Sequence, residues 1–240
     1  MTTAPGHDPA TAEALYPIER LQALATQLDL ALSPAQCNRL QQYARLLRRW
    51  NRVHNLTAID DPEHLLTHHL LDSLAIVRPL EAALQRQGAV LSPGRVVRFV
   101  DAGSGGGLPG IPLAIARPDW HGTLVDAVQK KCAFLRQAAL ELGLRNLTVQ
   151  HARLEQCRLA PQDFAVSRAF ATLREFVTLT GPLLAPGGLW AAMKGRLPEE
   201  EIRDLPPGPH LLPTITLRVP LLDEQRHLVL LRAPHPTTTY

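Results

Sequence analysis

Phe99-Val100-Asp101-Ala102-Gly103-Ser104-Gly105-Gly106-Gly107-Leu108-Pro109-Gly110 joins the end of an apolar strand to a glycine-rich turn and then to the start of a helix. The predicted strand, Val96 to Val100, ends at the Asp101 carboxylate. Gly103, Gly105 and Gly107 let the backbone turn sharply and approach a ligand that a Cβ would hold away. Pro109 and Pro112 fall in the first turn of the following helix, where a missing N–H costs nothing. In outline this is a nucleotide-cofactor site.

Two cofactor classes use such a turn. Dehydrogenases seat a pyrophosphate at the helix N-terminus, whereas methyltransferases set the methionine part of S-adenosylmethionine against the loop. A bound ammonium and sulfonium favour a nearby carboxylate, and a pyrophosphate is repelled by one, so Asp101 separates the two. The chain reads Asp-x-Gly-x-Gly-x-Gly, not the dehydrogenase Gly-x-Gly-x-x-Gly, and this favours the sulfonium cofactor. A second apolar stretch, Gly122 to Val125, ends at Asp126, roughly twenty residues beyond the loop, where an acidic residue accepts both hydrogens of a ribose diol. Aspartate is also common wherever a strand runs into a turn. The functional reading of Asp126 therefore rests on its company with Asp101 and the loop glycines.

The 240 residues, 45% of them hydrophobic, suffice for a sizeable core. No apolar run reaches the length of a membrane span, and the polar stretch 1–14 reads as a flexible N-terminus without a signal-peptide core, so the expected location is cytoplasmic. Cys37, Cys132 and Cys157 are scattered and odd in number, which indicates buried or neutral thiols and neither a disulfide framework nor a zinc site. Nearly all of the 25 Lys and Arg residues are Arg, but a net charge of +3 points only weakly to an anionic partner.

Residues 15–94 read as a helical N-terminal region and linker, and residues 95–240 as a Rossmann-like α/β domain ending in an antiparallel hairpin. Ser33-Pro34-Ala35-Gln36 supplies an N-cap, a proline at the first helical position and a capping-box glutamine, which predicts a helix to about Arg52. Leu40, Tyr43, Leu47 and Trp50 share its core face, while Arg45, Arg48, Arg49 and Arg52 form a stripe on the opposite face, either solvated or in contact with nucleic acid. Asp60-Asp61-Pro62-Glu63 starts another helix, and Gln85 to Gly94 reads as the linker. Strands at Val96 to Val100, Thr123 to Val125, Leu147 to Val149, Phe164 to Val166 and Leu189 to Met193 then alternate with helices such as Lys131 to Leu142, implying a parallel sheet covered on both faces. Ile215 to Val219 and Leu228 to Leu231 form the hairpin. A parallel core finished by an antiparallel pair is the layout of class I S-adenosylmethionine-dependent methyltransferases.

With these residues in view, the chain resembles the bacterial 16S ribosomal RNA guanine-N7 methyltransferases, also called glucose-inhibited division protein B. The resemblance spans about Leu40 to Leu231. It is carried by Trp50-Asn51-x-x-x-Asn55-Leu56-Thr57, His69-Leu70-Leu71-Asp72-Ser73-Leu74, the glycine loop through Pro112, Ser167-Arg168-Ala169-Phe170-Ala171 and Met193-Lys194-Gly195. It implies cofactor contacts at Gly103, Leu108, Leu154, Glu155 and Arg168, with Asp126 at the ribose position. The loop departs from the family pattern at Gly106, where a larger residue or proline is usual, and extra backbone freedom there would weaken cofactor binding slightly.

Guanine N7 carries an in-plane lone pair and attacks a sulfonium methyl without losing a proton, so orientation is required and a general base is not. No Asn/Asp-Pro-Pro-Tyr/Phe loop of amine methylases follows the fourth strand, nor is there a nucleophilic Cys of the cytosine-C5 kind. Arg168 is placed to orient cofactor or target. Phe170 either stacks on a base or packs as a core aromatic, and Lys194 is read as a phosphate contact. His64 and His68 have i, i+4 spacing but lack the Glu of His-Glu-x-x-His, so no metal is expected. His69 and Asp72 are expected to bond each other or to pack against the catalytic domain. The expected partner is 16S ribosomal RNA or the small ribosomal subunit. Two rivals stand beside this reading: an NAD-dependent oxidoreductase on the same fold, and a non-enzymatic RNA-binding assembly protein.

Overall fold

The computed structural model describes residues 15–86, 95–168, 170 and 172–234. The expected flexible stretch 1–14, most of the linker Gln85 to Gly94, and Ala169 and Ala171 lie outside the described residues.

Five strands run parallel: β1 (Val97–Ala102), β2 (Trp120–Asp126), β3 (Leu147–His151), β4 (Gln162–Ser167) and β5 (Leu184–Lys194). β6 (His210–Leu211), β7 (Ile215–Leu217) and β8 (Arg226–Arg232) complete the sheet. Its order is β3-β2-β1-β4-β5-β8-β6, with β7 also on β8. β8 lies antiparallel between β5 and β6 and pairs with β7 in the register Ile215↔Leu228. The order reverses between β1 and β4, and there the carboxyl ends of the strands open a crevice.

Three of the parallel strands feed helices that cover the sheet: α6 (Gly110–Ala116) after β1, α7 (Gln129–Glu141) after β2 and α8 (Leu173–Thr180) after β4. Because side chains alternate along a strand, the sheet builds two cores. Phe99, Phe164, Leu189 and Leu228 face one, and Val100, Ala165, Trp190 and Val229 the other. On the first face the Phe99 and Phe164 rings stack 5.2 Å apart.

That same face is covered by the N-terminal helices α1 (Ile18–Thr26), α2 (Pro34–His54) and α5 (Val77–Arg86). The Ser33 capping box is present, and α2 runs two residues past Arg52 before Asn55 ends it in a left-handed conformation (φ 48). Gln36 serves two helices at once: its Oε1 accepts from Ser33 N, and its Nε2 donates to the Ile115 and Ala116 carbonyls at the end of α6. Asp61 caps α3 (Pro62–His64), which passes directly into a π-helical turn, Leu65–Leu71, and then α4 (Asp72–Leu74).

Two elements go beyond the sequence expectation. A short helix, α9 (Glu199–Arg203), and the two-residue β6 sit between β5 and β7, in a proline-rich stretch whose composition hides both. Strand β5 starts five residues early, running through Pro186-Gly187-Gly188, and the Gly188 carbonyl accepts from Ala233 N. Among the described residues no helix is long and apolar enough to cross a membrane.

Candidate cofactor and target site

The glycine loop is anchored to the end of β2, where the Val125 carbonyl accepts from both Gly103 N (2.9 Å) and Ser104 N (3.0 Å). Gly107 adopts φ +88, which strains any L side chain, and a Cβ there would stand 2.4 Å from Ile111 Cδ1, so a substitution would also force the Ile111 side chain to move. Gly103 (φ +70) opens towards solvent beside the Phe170 ring.

The two carboxylates divide the work. Asp126 accepts from Gly105 N through Oδ2 (2.9 Å) and from Val128 N through Oδ1 (2.8 Å), so it fastens the loop to the start of α7. Each of its oxygens keeps a further lone pair for a ligand hydroxyl. Asp101 is fully buried beneath the loop, with Oδ2 accepting from Gly110 N (2.9 Å) at the start of α6 and Oδ1 without a partner. Burial pushes its carboxyl up to about 7, against the pull of the Gly110 N–H and the Arg168 charge.

Helix α2 closes over the same loop. The buried Tyr43 hydroxyl donates to the Gly106 carbonyl (2.6 Å), and Leu47 Cδ1 lies 3.1 Å from where a Cβ of Gly106 would stand. The freedom expected of a glycine at 106 is thus removed by the helix packed on it. Sequence reading places Tyr43 on the core face but gives no sign of its bond to the loop.

Beside the loop a cavity of about 250 Å³ gathers Gly103, Asp126, Leu154, Glu155 and Phe170. Leu154 and Glu155 reach it from a 3-10 turn after β3. Val125, Ala127, Ala152, Arg153 and Leu179 also line it and carry no distinguishing signal in the sequence. Gly105, Gly107 and Leu108 shape the loop without lining the cavity. A glycine open to solvent, a carboxylate with spare lone pairs and apolar walls from Leu154 and Phe170 fit the nucleoside half of S-adenosylmethionine. Phe170 packs at 5.7 Å on Phe176, so its ring belongs both to the second core and to this cavity.

Arg168 turns the other way at the exit of β4. Its Nη1 donates to the His68 carbonyl (2.8 Å) and meets His69 Nδ1 (3.2 Å), with Asp72 Oδ2 at 3.8 Å. A guanidinium only donates, so His69 Nδ1 is the acceptor and Nε2 carries the proton given to Thr57 Oγ1 (2.7 Å). Burial and the Arg168 charge depress His69 to about 4, which keeps it neutral. Of the two expectations for His69 and Asp72, a mutual bond or packing against the catalytic domain, the structure shows the second: each addresses Arg168, His69 from the π turn and Asp72 from the start of α4.

Several of the remaining candidates are engaged within the chain. Lys194 Nζ sits on both oxygens of Glu201 (2.8 and 3.0 Å), whose Oε2 also accepts from Leu173 N. Of the arginine stripe, Arg49 and Arg52 are exposed and Arg45 and Arg48 half-buried. Arg48 donates to the Asp60 carbonyl, and Arg49 meets Glu141 at 3.2 Å. His64 and His68 lie with rings 5.3 Å apart, and His64 Nδ1 meets Asp61. Cys37, Cys132 and Cys157 are buried free thiols.

Residues 36–229 match the family model for rRNA small subunit methyltransferase G, GidB. Proteins called ribosomal RNA small subunit methyltransferase G are similar over most of their length: that of Bordetella avium is 45% identical over 219 residues, 91% of this chain and 95% of the relative. That of Leptothrix cholodnii is 47% identical over 214 residues, 89% and 94% of the two chains. Among solved structures, a SAM-dependent methyltransferase from Aquifex aeolicus is 17% identical with a TM-score of 0.51 over 75% of this chain and 97% of that one. The N-methyltransferase NodS of Bradyrhizobium japonicum, in complex with S-adenosyl-l-homocysteine, is 19% identical with a TM-score of 0.50 over 82% and 100%. The fold is therefore that of the Rossmann-like, class I S-adenosylmethionine-dependent methyltransferases. With a family match from the capping box of α2 to the middle of β8, the chain belongs to the rRNA small subunit methyltransferase G family.

Proposed function

We propose that the protein transfers the methyl group of S-adenosylmethionine to N7 of a guanine in 16S ribosomal RNA, in the cytoplasm, acting on the RNA or on the small subunit. The observation that carries this reading is the 45% identity, over 95% of its length, to a protein named as a small-subunit rRNA methyltransferase. When bound, the cofactor supplies a methyl group made electrophilic by its sulfonium charge. Everything else is positioning by this chain. Gly103 gives backbone access, Asp126 offers lone pairs to the ribose diol, and Leu154 and Phe170 flank the heterocycle. Arg168 and Phe170, on one exit from β4, line two different cavities and so stand where cofactor and target meet.

N7 needs no deprotonation, and orientation alone supplies part of the roughly 7–11 kcal/mol attainable from proximity. His69 suits such a reaction: neutral, buried and committed to Arg168 and Thr57, it holds geometry and moves no proton. The helical region 15–94 acts as a brace on the methyltransferase domain 95–240, through Tyr43 on the loop and Gln36 on α6. We assign Arg45, Arg48, Arg49 and Arg52 to the RNA-facing surface, with Lys194 at the rim of the strand ends.

Incubation with ribosomal RNA and methyl-labelled cofactor, followed by nucleoside mass spectrometry, tests the reading. The label should appear as 7-methylguanine in 16S RNA. Label on an exocyclic amine or on cytosine, or tight binding of NAD in place of the cofactor, would overturn it.

A further inference from the structure

A second cavity, of about 240 Å³, opens between the start of α4, the carboxyl ends of β4 and β5, and the strands β7 and β8. It is smaller than the roughly 300–1,000 Å³ of drug-sized sites, which suits a single flat heterocycle. Met193 and Leu217 give it apolar walls, and Gly195 at its rim has open space where a Cβ would stand. Its polar groups are Asp72, Arg168, Lys194, Arg226 and His227.

Asp72 is the unusual member. It is 4% exposed, yet Oδ1 accepts no hydrogen bond. Arg226 Nε stands 3.5 Å from Oδ1, and Arg168 Nη1 stands 3.8 Å from Oδ2. Both guanidiniums are near enough to offset the charge and too far to occupy the lone pairs. His227, 7% exposed on the same wall, likewise has Nδ1 without a partner. Buried polar atoms in native proteins are nearly always bonded; Asp72 and His227 both line this cavity and each holds one buried atom without a partner, so its wall has unused hydrogen-bonding capacity for a polar ligand.

We propose that this cavity receives the target base, with Asp72 accepting the N1–H and N2–H of guanine. This rests on the guanine-N7 reading above. A flipped base is read on its Watson–Crick edge, and guanine alone among the four RNA bases presents there two adjacent donors for one carboxylate. Adenine would bring its N1 lone pair against the same oxygen, a repulsive contact that supplies discrimination. Gripping N1 and N2 leaves N7 on the opposite edge of the purine, free to face the cofactor cavity across the β4 exit. The 7-methylated base carries a positive charge that guanine lacks, and a carboxylate at N1–H favours that product charge.

The test compares guanosine with inosine, which lacks the N2 amino group, at the modified position of the RNA. Single-turnover transfer by the parent should slow on the order of tenfold with inosine, as expected when one hydrogen bond to a charged group is removed. Asp72→Asn should slow transfer to guanosine on the order of 10- to 100-fold and abolish the guanosine–inosine difference, with calorimetric affinity for S-adenosylhomocysteine unchanged. Asp72→Glu should retain part of the preference. Equal rates on guanosine and inosine in the parent overturn the proposal without any variant, as does an Asp72→Asn protein that keeps the parent's ratio. Failure of the functional reading shows separately, as absence of 7-methylguanine from unsubstituted RNA treated with the parent.

Discussion

The stability difference between Asp101→Asn and the parent should rise steeply with pH. Asp101 is fully buried, one of its oxygens is unpartnered, and burial raises its carboxyl from an ordinary 3.8 to about 7. A raised pKa means that the folded protein keeps a proton that the unfolded chain releases. Below about pH 4 both states are protonated, and the burial carries no penalty. Between about pH 4 and about pH 7 the unfolded chain ionises first, so this group takes stability away as pH rises. Above about pH 7 the full penalty persists. About three units at 1.36 kcal/mol each amount to about 4 kcal/mol. Asparagine keeps an oxygen for the Gly110 N–H and does not ionise, so the variant lacks this slope. Its amide nitrogen finds no acceptor, an offset of about 1–3 kcal/mol that moves the curve without tilting it. Urea unfolding of both ligand-free proteins from pH 4.5 to 8 measures the difference directly, because titrations distant from Asp101 cancel. A difference constant to within about 1 kcal/mol across that range would refute the account of Asp101.

Tyr43→Phe removes the bond to the Gly106 carbonyl and should lower stability by about 1–2 kcal/mol, while weakening S-adenosylhomocysteine binding in calorimetry; an unchanged affinity would mean that α2 does not support the loop. Asp126→Ala loses the two N–H bonds that fix Gly105 and Val128 together with any ribose contact, and should reduce cofactor affinity by on the order of 1–3 kcal/mol. Replacing Arg45, Arg48, Arg49 and Arg52 together with Gln should flatten the salt dependence of RNA binding by roughly 0.7 of log–log slope for each phosphate that is no longer neutralised. An unaltered slope assigns the stripe to structure, where Arg48 donates to the Asp60 carbonyl and Arg49 meets Glu141.

The strand, glycine turn and helix from Val97 to Ala116 are legible in the sequence because glycine and proline act locally, through φ and the missing N–H. The aim of Asp101 is not. Spacing puts a carboxylate at the strand end, but whether it turns towards a ligand or under the loop depends on Gly110, nine residues on, whose N–H claims it. The π turn is hidden for a similar reason. Leu65, Leu66, Leu70, Leu71 and Leu74 read as an ordinary helical face, and one widened turn leaves that apolar pattern intact while rotating His69 and Asp72 onto Arg168. Lys194 looks free in sequence because Glu201, its partner, lies on a helix too short and too proline-flanked to register.

Arg168 ties these pieces into one electrostatic unit. It leaves the sheet at the strand end nearest the cofactor loop, yet its hydrogen bonds reach back to the helical region, at His68 and His69. Asp72 is held at the same point by two guanidiniums, Arg168 from β4 and Arg226 from β8. Burial raises the Asp72 carboxyl and the two arginines lower it, so the charge depends on strands far apart in the chain. Removing one partner of such a buried group is strongly destabilising, on the order of 3–5 kcal/mol. The helical region, the parallel core and the antiparallel edge therefore meet at a shared charge balance around Asp72 and Arg168. This gives the N-terminal helices a reason to be part of the enzyme beyond any contact they make with RNA: without them Arg168 would have neither the His68 carbonyl nor the neutral imidazole that fixes its guanidinium at the mouth of the target cavity.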